Sequence, residues 1–370
     1  MGTTFSLKGV VLLKVLVRIL LILAIILTVI FYSDQTVQET DLLEAPGSTG
    51  QALPQENMLP PTGEDTIPRP RTGLSTLVGQ NTTYLVKSFG EPNRIDPSAF
   101  GYDWWVYNQS VDSYMLVGVQ GKHIVQVYIA GSILDATPYQ VGQSIDDLYR
   151  FTIIESEITV QIESSVYTFT INEADMKNRL LVKYDGLFAQ IYVDEEDNEV
   201  EAIRFTNPRT LVLHQPYEMA YKGDYLAADV PSTSLQRSIN DSNNRQIFEL
   251  TNVYRSRHSI EPVEFDENLE IVASKHSEDM AMQNYFSHES PDFGDLEDRL
   301  AETQLEYDSA GENIAANYYD SAEVVHGWLN STDHRKVLLE NDFTHLGVGT
   351  FGKYYTQNFV KLEEETKMNQ

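Results

Sequence analysis

The hydrophobic positions change period along this chain, and each change marks a different kind of segment. Residues 10 to 32, VVLLKVLVRILLILAIILTVIFY, are apolar almost throughout, and a block of that length matches the roughly 20 residues of helix that cross a bilayer. Lys14 and Arg18 interrupt its first half. Both can snorkel to the headgroups if the strictly apolar run begins near Ile19. With Lys8 they form a basic cluster on the N-terminal side, and positive charge held in the cytoplasm sends the rest of the chain outward. The alternative is a cleaved signal peptide, but Tyr32-Ser33-Asp34-Gln35 offers no small-x-small cleavage pattern. Residues 1–32 are therefore read as an uncleaved transmembrane anchor.

Residues 33–72 hold no sustained period and are rich in Pro, Gly and acid, which predicts a disordered tether. Alternation then takes over. Asp103–Tyr107, Tyr114–Val119 and His123–Ile129 are rich in aromatic and β-branched residues, with Gln120-Gly121 as a hairpin turn. Glu157–Ile162, Val166–Ile171, Phe188–Val193 and Val200–Phe205 repeat the style, with a turn at Asp197-Asn198. Val78-Gly79-Gln80 recurs as Val141-Gly142-Gln143, with Leu85 and Leu148 in register behind, so a doubled unit is open. The pattern predicts an α+β domain over 73–214, dominated by antiparallel sheet, followed by a linker over 215–240. Asp194-Glu195-Glu196-Asp197 lacks the spacing of an EF-hand and reads as a solvated turn.

A helical period rules the start of the last segment, 241–363. Ile247, Leu250 and Tyr254 form one stripe; Leu269, Val272, Ala273, His276 and Met280 form the next, with Asp266 as its N-cap. Asp320 and Glu323 have capping-box spacing before Val324, Val325, Trp328 and Leu329. Strands return at His345–Thr350 and Tyr354–Val360, flanking a turn at Phe351-Gly352-Lys353. His276 thus stands where a leucine is expected, and a histidine there needs a partner. Glu312, Ser331 and His334 are the downstream candidates. Two imidazoles, a carboxylate and a hydroxyl make either a metal site or a polar network in a cleft.

Composition narrows the choice. The 26 basic and 55 acidic side chains give a formal charge of -29, which repels nucleic acid. The chain has no cysteine, so disulfides and thiolate chemistry are excluded and any metal must use His, Asp or Glu.

The ordered blocks ASKHSEDM, YFSHESP, AGENIA, VVHGWLNSTDHRKVLL, HLGVGTF and YYTQNFV, over residues 243 to 361, resemble the bacterial branch of the CAP superfamily (cysteine-rich secretory, antigen 5 and pathogenesis-related proteins). GEPNRIDPSAFGYDWWVYN is similar to the CAP-associated N-terminal domain of some Gram-positive bacterial members. The resemblance implies an α-β-α sandwich of CAP type with a cleft lined by two histidines and two acidic or hydroxyl residues. Carried over by motif, these are His276, Glu312, Ser331 and His334. The chain departs from the family in lacking cysteine, in Val337 where bacterial members carry an asparagine, and in Ser331 where many eukaryotic members carry a glutamate.

His276, Glu312 and His334 are the minimum set for zinc or another divalent cation with an open position for water. If Glu312 is a ligand, no matched carboxylate remains as a base, so enzymatic activity is left open, with all four residues as catalytic candidates. His288, His326 and His345 are read as ordinary structural histidines. The expectation is a single-pass membrane protein whose bulk is extracytoplasmic, or secreted if the N-terminal segment is cleaved. It would serve the cell envelope as a binding module for a wall, lipid or protein ligand; the competing class is an extracellular metal-dependent hydrolase or protease using the same cleft.

Overall fold

The computed structural model describes residues 17–18, 20, 23, 36–38, 40–46, 50–52, 67–303 and 305–362. The anchor read over 1–32 lies outside them except at four isolated positions, as does much of the stretch read as a tether. Among the described residues no helix is long and apolar enough to cross a membrane.

The first domain is built on a seven-stranded antiparallel sheet. Its strands are β1 (Arg94–Pro97), β2 (Asp103–Tyr107), β3 (Met115–Gln120), β4 (His123–Ile129), β7 (Arg179–Tyr184), β8 (Leu187–Asp194) and β9 (Glu199–Thr206), in the order β7-β8-β9-β4-β3-β2-β1. Between them β5 (Glu157–Ile162) and β6 (Ser165–Thr170) leave to form a smaller sheet with β10 (Glu218–Lys222) and Gln51–Ala52.

The two VGQ segments occupy equivalent places. Gly79 and Gly142 both take positive φ, 93° and 83°, a conformation that costs glycine little. Each donates its N–H to a hairpin strand, Gly79 to Ile124 O and Gly142 to Val200 O. Each segment then enters a short helix, α1 (Thr82–Phe89) capped by Asn81 or α2 (Ile145–Phe151) capped by Ser144, and drops Leu85 or Leu148 into the core. The halves meet where β4 pairs with β9 and Tyr128 stands opposite Arg204.

The second domain is a sheet between helical layers. Strand β12 (Tyr307–Ala316) pairs with β14 (Tyr354–Leu362), β14 with β13 (His345–Phe351), and β13 with β11 (Glu264–Phe265). Its helices are α3 (Thr233–Arg257), α4 (Glu267–Gln283), α5 (Leu296–Ala301), α6 (Ser321–Leu329) and α7 (Thr332–Leu338). On one face of β13, Leu346 and Val348 join Ile247, Leu250, Trp328 and Leu329 in a core that continues to Trp104, Tyr128 and Tyr192 of the first domain. On the other face α4 lies directly on the strand, because Gly347 and Gly349 have no side chain to hold it off. A Cβ at Gly349 would sit 2.0 Å from Ser274 N. Gly349→Ala is therefore expected to cost about 3 kcal/mol, the upper range for overpacking, as a lowered midpoint in urea unfolding; an unchanged midpoint would show that α4 yields freely.

The structure corrects two boundaries. Within the expected tether, Thr36–Gln38 and Leu43–Glu44 pair with β12 and Gln51–Ala52 pairs with β10. Within the expected linker, Glu218–Lys222 is strand β10 and α3 begins at Thr233. The two domains also share buried polar contacts. Arg204 grips Asp320 at 2.6 and 3.0 Å, Arg179 reaches Glu323 at 2.9 Å, and Tyr128 Oη meets Tyr254 Oη at 2.7 Å.

Candidate functional site

Glu312 is fully buried in the middle of β12. A carboxylate there is tolerable only if its lone pairs are used, and they are. His288 Nδ1 lies 2.8 Å from Oε1 and Arg299 Nη2 donates to Oε2 at 2.7 Å. With its amide turned to suit its neighbours, Asn358 on β14 donates to Oε2 at 2.9 Å. Burial pushes the Glu312 carboxyl up, but the Arg299 guanidinium and His288 outweigh it and hold it down at about 2. Arg299 is itself fixed from α5, donating through Nη1 to His288 O and Gly294 O, both at 2.8 Å.

The four residues singled out from sequence fall around this centre as two groups. His276 Nε2 is 3.9 Å from Glu312 Oε1, too far for a hydrogen bond. Both of its ring nitrogens are buried without a hydrogen-bond partner among the described residues, and it lines a pocket of about 450 Å³ with Asp279, Phe293 and Arg299. Burial drives its imidazole down to about 4, so it is neutral near pH 7 and the contact with Glu312 is not an ion pair. Ser331 and His334 form the second group, with Oγ 2.7 Å from Nδ1. Ser331 is the N-cap residue of α7, yet its hydroxyl makes no cap bond and turns to the imidazole instead. His334 Nε2 lies near the backbone of Ile314 and Asp41 without a hydrogen bond of ordinary geometry. Burial, then His288, lowers this ring to about 4.

His288, read from sequence as an ordinary structural histidine, is thus the imidazole bonded to Glu312, while His276, for which Glu312 is one of three candidate partners, is not. His288 follows Asn284, the left-handed C-cap of α4, in a loop where no hydrophobic period can place it. Its block, YFSHESP, was the available signal. Arg299 sits in an acidic helix, DLEDRLA, that reads as a solvated face. Thr40 belongs to the stretch read as a tether, yet it is buried. Its Oγ1 lies 3.3 Å from His288 Nε2 and donates to Glu312 O at 3.2 Å.

These residues do not fit the expected cation. The donor atoms of His276, Glu312 and His334 do not gather within coordination reach; among the described residues the one such group is Asp194, Asp197 and His258, with donors inside 4.8 Å. Both oxygens of Glu312 already face donors. The Asp194 group has its own cation, since Arg335 donates to Asp194 at 2.7 Å and to Asp197 at 3.3 Å. The two imidazoles offer free nitrogens, but the carboxylate between them is committed.

Residues 78–217 match the model of the CAP-associated N-terminal family, and residues 248–361 that of the cysteine-rich secretory protein family. The uncharacterized membrane protein YlbC of Bacillus subtilis is 41% identical over 295 residues, 80% of this chain and 85% of that protein. The crystal structure of an extracellular protein containing an SCP domain from Bacillus anthracis superposes with a TM-score of 0.75 at 36% identity, over 84% of this chain and 99% of its own. A cysteine-rich secretory protein from Staphylococcus aureus, 24% identical, shares the fold over 87% of this chain and 98% of its own, with a TM-score of 0.72.

Proposed function

This chain belongs to the cysteine-rich secretory protein family, and from that premise we propose that it is a membrane-tethered, extracytoplasmic binding module of the cell envelope rather than a hydrolase. The tethering reading is supported by the apolar block at 10–32 and by the membrane designation of YlbC. The extracellular designation of the Bacillus anthracis protein supports the orientation.

The observation that carries the binding reading is the saturation of Glu312. A carboxyl held at about 2 is a poor proton acceptor near neutral pH, far from the match that general base catalysis needs. Neutral His276 and His334, each with an unpartnered nitrogen, suit hydrogen bonding to a polar ligand better than proton transfer.

The test is calorimetric titration of the full chain in detergent with zinc at pH 7, beside the His276→Ala and His334→Ala variants. Any zinc heat is expected to be the same in all three proteins. A stoichiometric heat abolished by either substitution would restore the metal-hydrolase alternative. Externally added protease should remove the chain beyond residue 33 from intact cells, and protection from it would overturn the orientation.

A further inference from the structure

The described residues from Thr36 to Pro46 run along the outer edge of β12, past the Glu312 centre. Thr36–Gln38 pair in parallel with Ser309–Gly311, and Leu43–Glu44 pair with Ala315–Ala316. Ala45 N donates to Ala316 O at 2.9 Å. Between these pairings the segment advances from Gln38 to Leu43 while β12 advances from Gly311 to Ala315, one residue fewer. This extra residue makes a bulge, and the bulge falls where Thr40 turns to His288 and Glu312 and where Asp41 lies beside His334. On either side, Val37 packs against the apolar cluster that holds Leu269, Val272 and Leu300, and Leu43 and Ala45 pack against the shared core.

We propose that this edge of β12 is a binding site for an extended peptide, and that residues 36–46 are its resident occupant. The inference deepens the binding reading of the cleft and rests on it. Main-chain hydrogen bonding to an exposed sheet edge is a general mode of peptide capture, with side-chain pockets adding selectivity. Here the pockets ask for a hydroxyl at the position of Thr40 and an aliphatic at that of Leu43. The occupant's own sequence, TVQETDLLEAP, is acidic and ends in a strand-breaking proline, so its extended form comes from the groove. It pairs over only three and two residues, a small contact that a better-matched peptide can displace.

The absence of native cysteine makes the test clean. Leu43 and Ala315 are register partners, so the pair Leu43→Cys and Ala315→Cys in the full chain in detergent should close a disulfide on oxidation. The probe is a fluorescein-labelled synthetic peptide of residues 36–46, followed by anisotropy. The oxidised chain should exclude it, and the reduced chain should bind it. Leu43→Asp, which ejects the resident segment, should bind it about tenfold more tightly than the unmodified chain, because the competent fraction rises. Failure of the disulfide to form, or equal binding by oxidised and reduced chains, would overturn the proposal. If Leu43→Asp does not fold, the oxidised and reduced comparison still decides. Failure here leaves the zinc titration, and with it the general binding reading, standing.

Discussion

Arg204→Ala is expected to lower the unfolding free energy by about 3–5 kcal/mol, the range for removing one partner of a buried ion pair. Arg204 has no exposed surface, and it holds both oxygens of Asp320 at 2.6 and 3.0 Å. Around the guanidinium stand the rings of Trp104, Tyr128, Tyr192 and Tyr319, at 5.9, 5.4, 5.8 and 5.1 Å. Alanine would strand the Asp320 carboxylate among them and open a space the size of an arginine. Asp320 keeps one donor, the Glu323 N–H at the start of α6, so the loss should stay within that range. Urea unfolding of the full chain measures it. Arg204→Ala combined with Asp320→Asn should cost less than the two single changes added, since the charge left behind by the first is removed by the second. A single-variant loss below about 1 kcal/mol would mean that water readily enters the interface.

The second large effect is acid destabilisation beginning above pH 4. Burial lowers the imidazoles of His276, His326 and His334 to about 4 from an ordinary 6.5. Between those values the unfolded chain binds more protons than the folded one, so stability falls as pH drops from 6.5 and the loss levels off below 4. Each ring contributes at most about 3 kcal/mol. Glu312 and Glu323 act lower. Both are held at about 2 against an ordinary 4.5, so the stability they supply is present above 4.5 and is lost as pH falls toward 2. His258 works the other way, raised by its hydrogen bond to Asp194; it favours the folded state below 6.5 and offsets part of the loss. The melting temperature should therefore decline in two stages on acidification. His326→Gln should shrink the first by one ring's share, because among the described residues its ring bonds to Asn178 O and Asn330 and leaves the Glu312 centre untouched. A flat profile from pH 7 to 4.5 would show that water reaches these rings.

Much of the second domain was legible because its elements keep their period. The stripe from Leu269 to Met280 is buried as its spacing implies, Asp266 caps α4 through Leu269 N, and the turn at Gly352 joins β13 to β14. Edge and interface roles were not legible. Asp320 does cap α6, but Glu323 does not complete a capping box; its carboxylate crosses to Arg179, Gln190 and Tyr192 of the first domain. No local spacing can announce a partner more than a hundred residues away. Thr40 was hidden for a related reason: two- and three-residue strands added to an edge carry too little alternation to stand out from a tether. His276 is buried as its spacing implies, but its spacing leaves its partner open, because helical period fixes which face a residue takes and not which loop reaches that face from elsewhere.

The strand laid by Thr36–Gln38 on β12 bears on how the proposed anchor would hold the protein. Only Ser33, Asp34 and Gln35 separate Thr36 from Tyr32, the end of the apolar block, and the four residue steps between them reach about 14 Å when fully stretched. With 10–32 in the bilayer, the domain that comes last along the chain is the one held beside the headgroups. The domain that precedes it in sequence then does not lie between the two and cannot serve as the stalk.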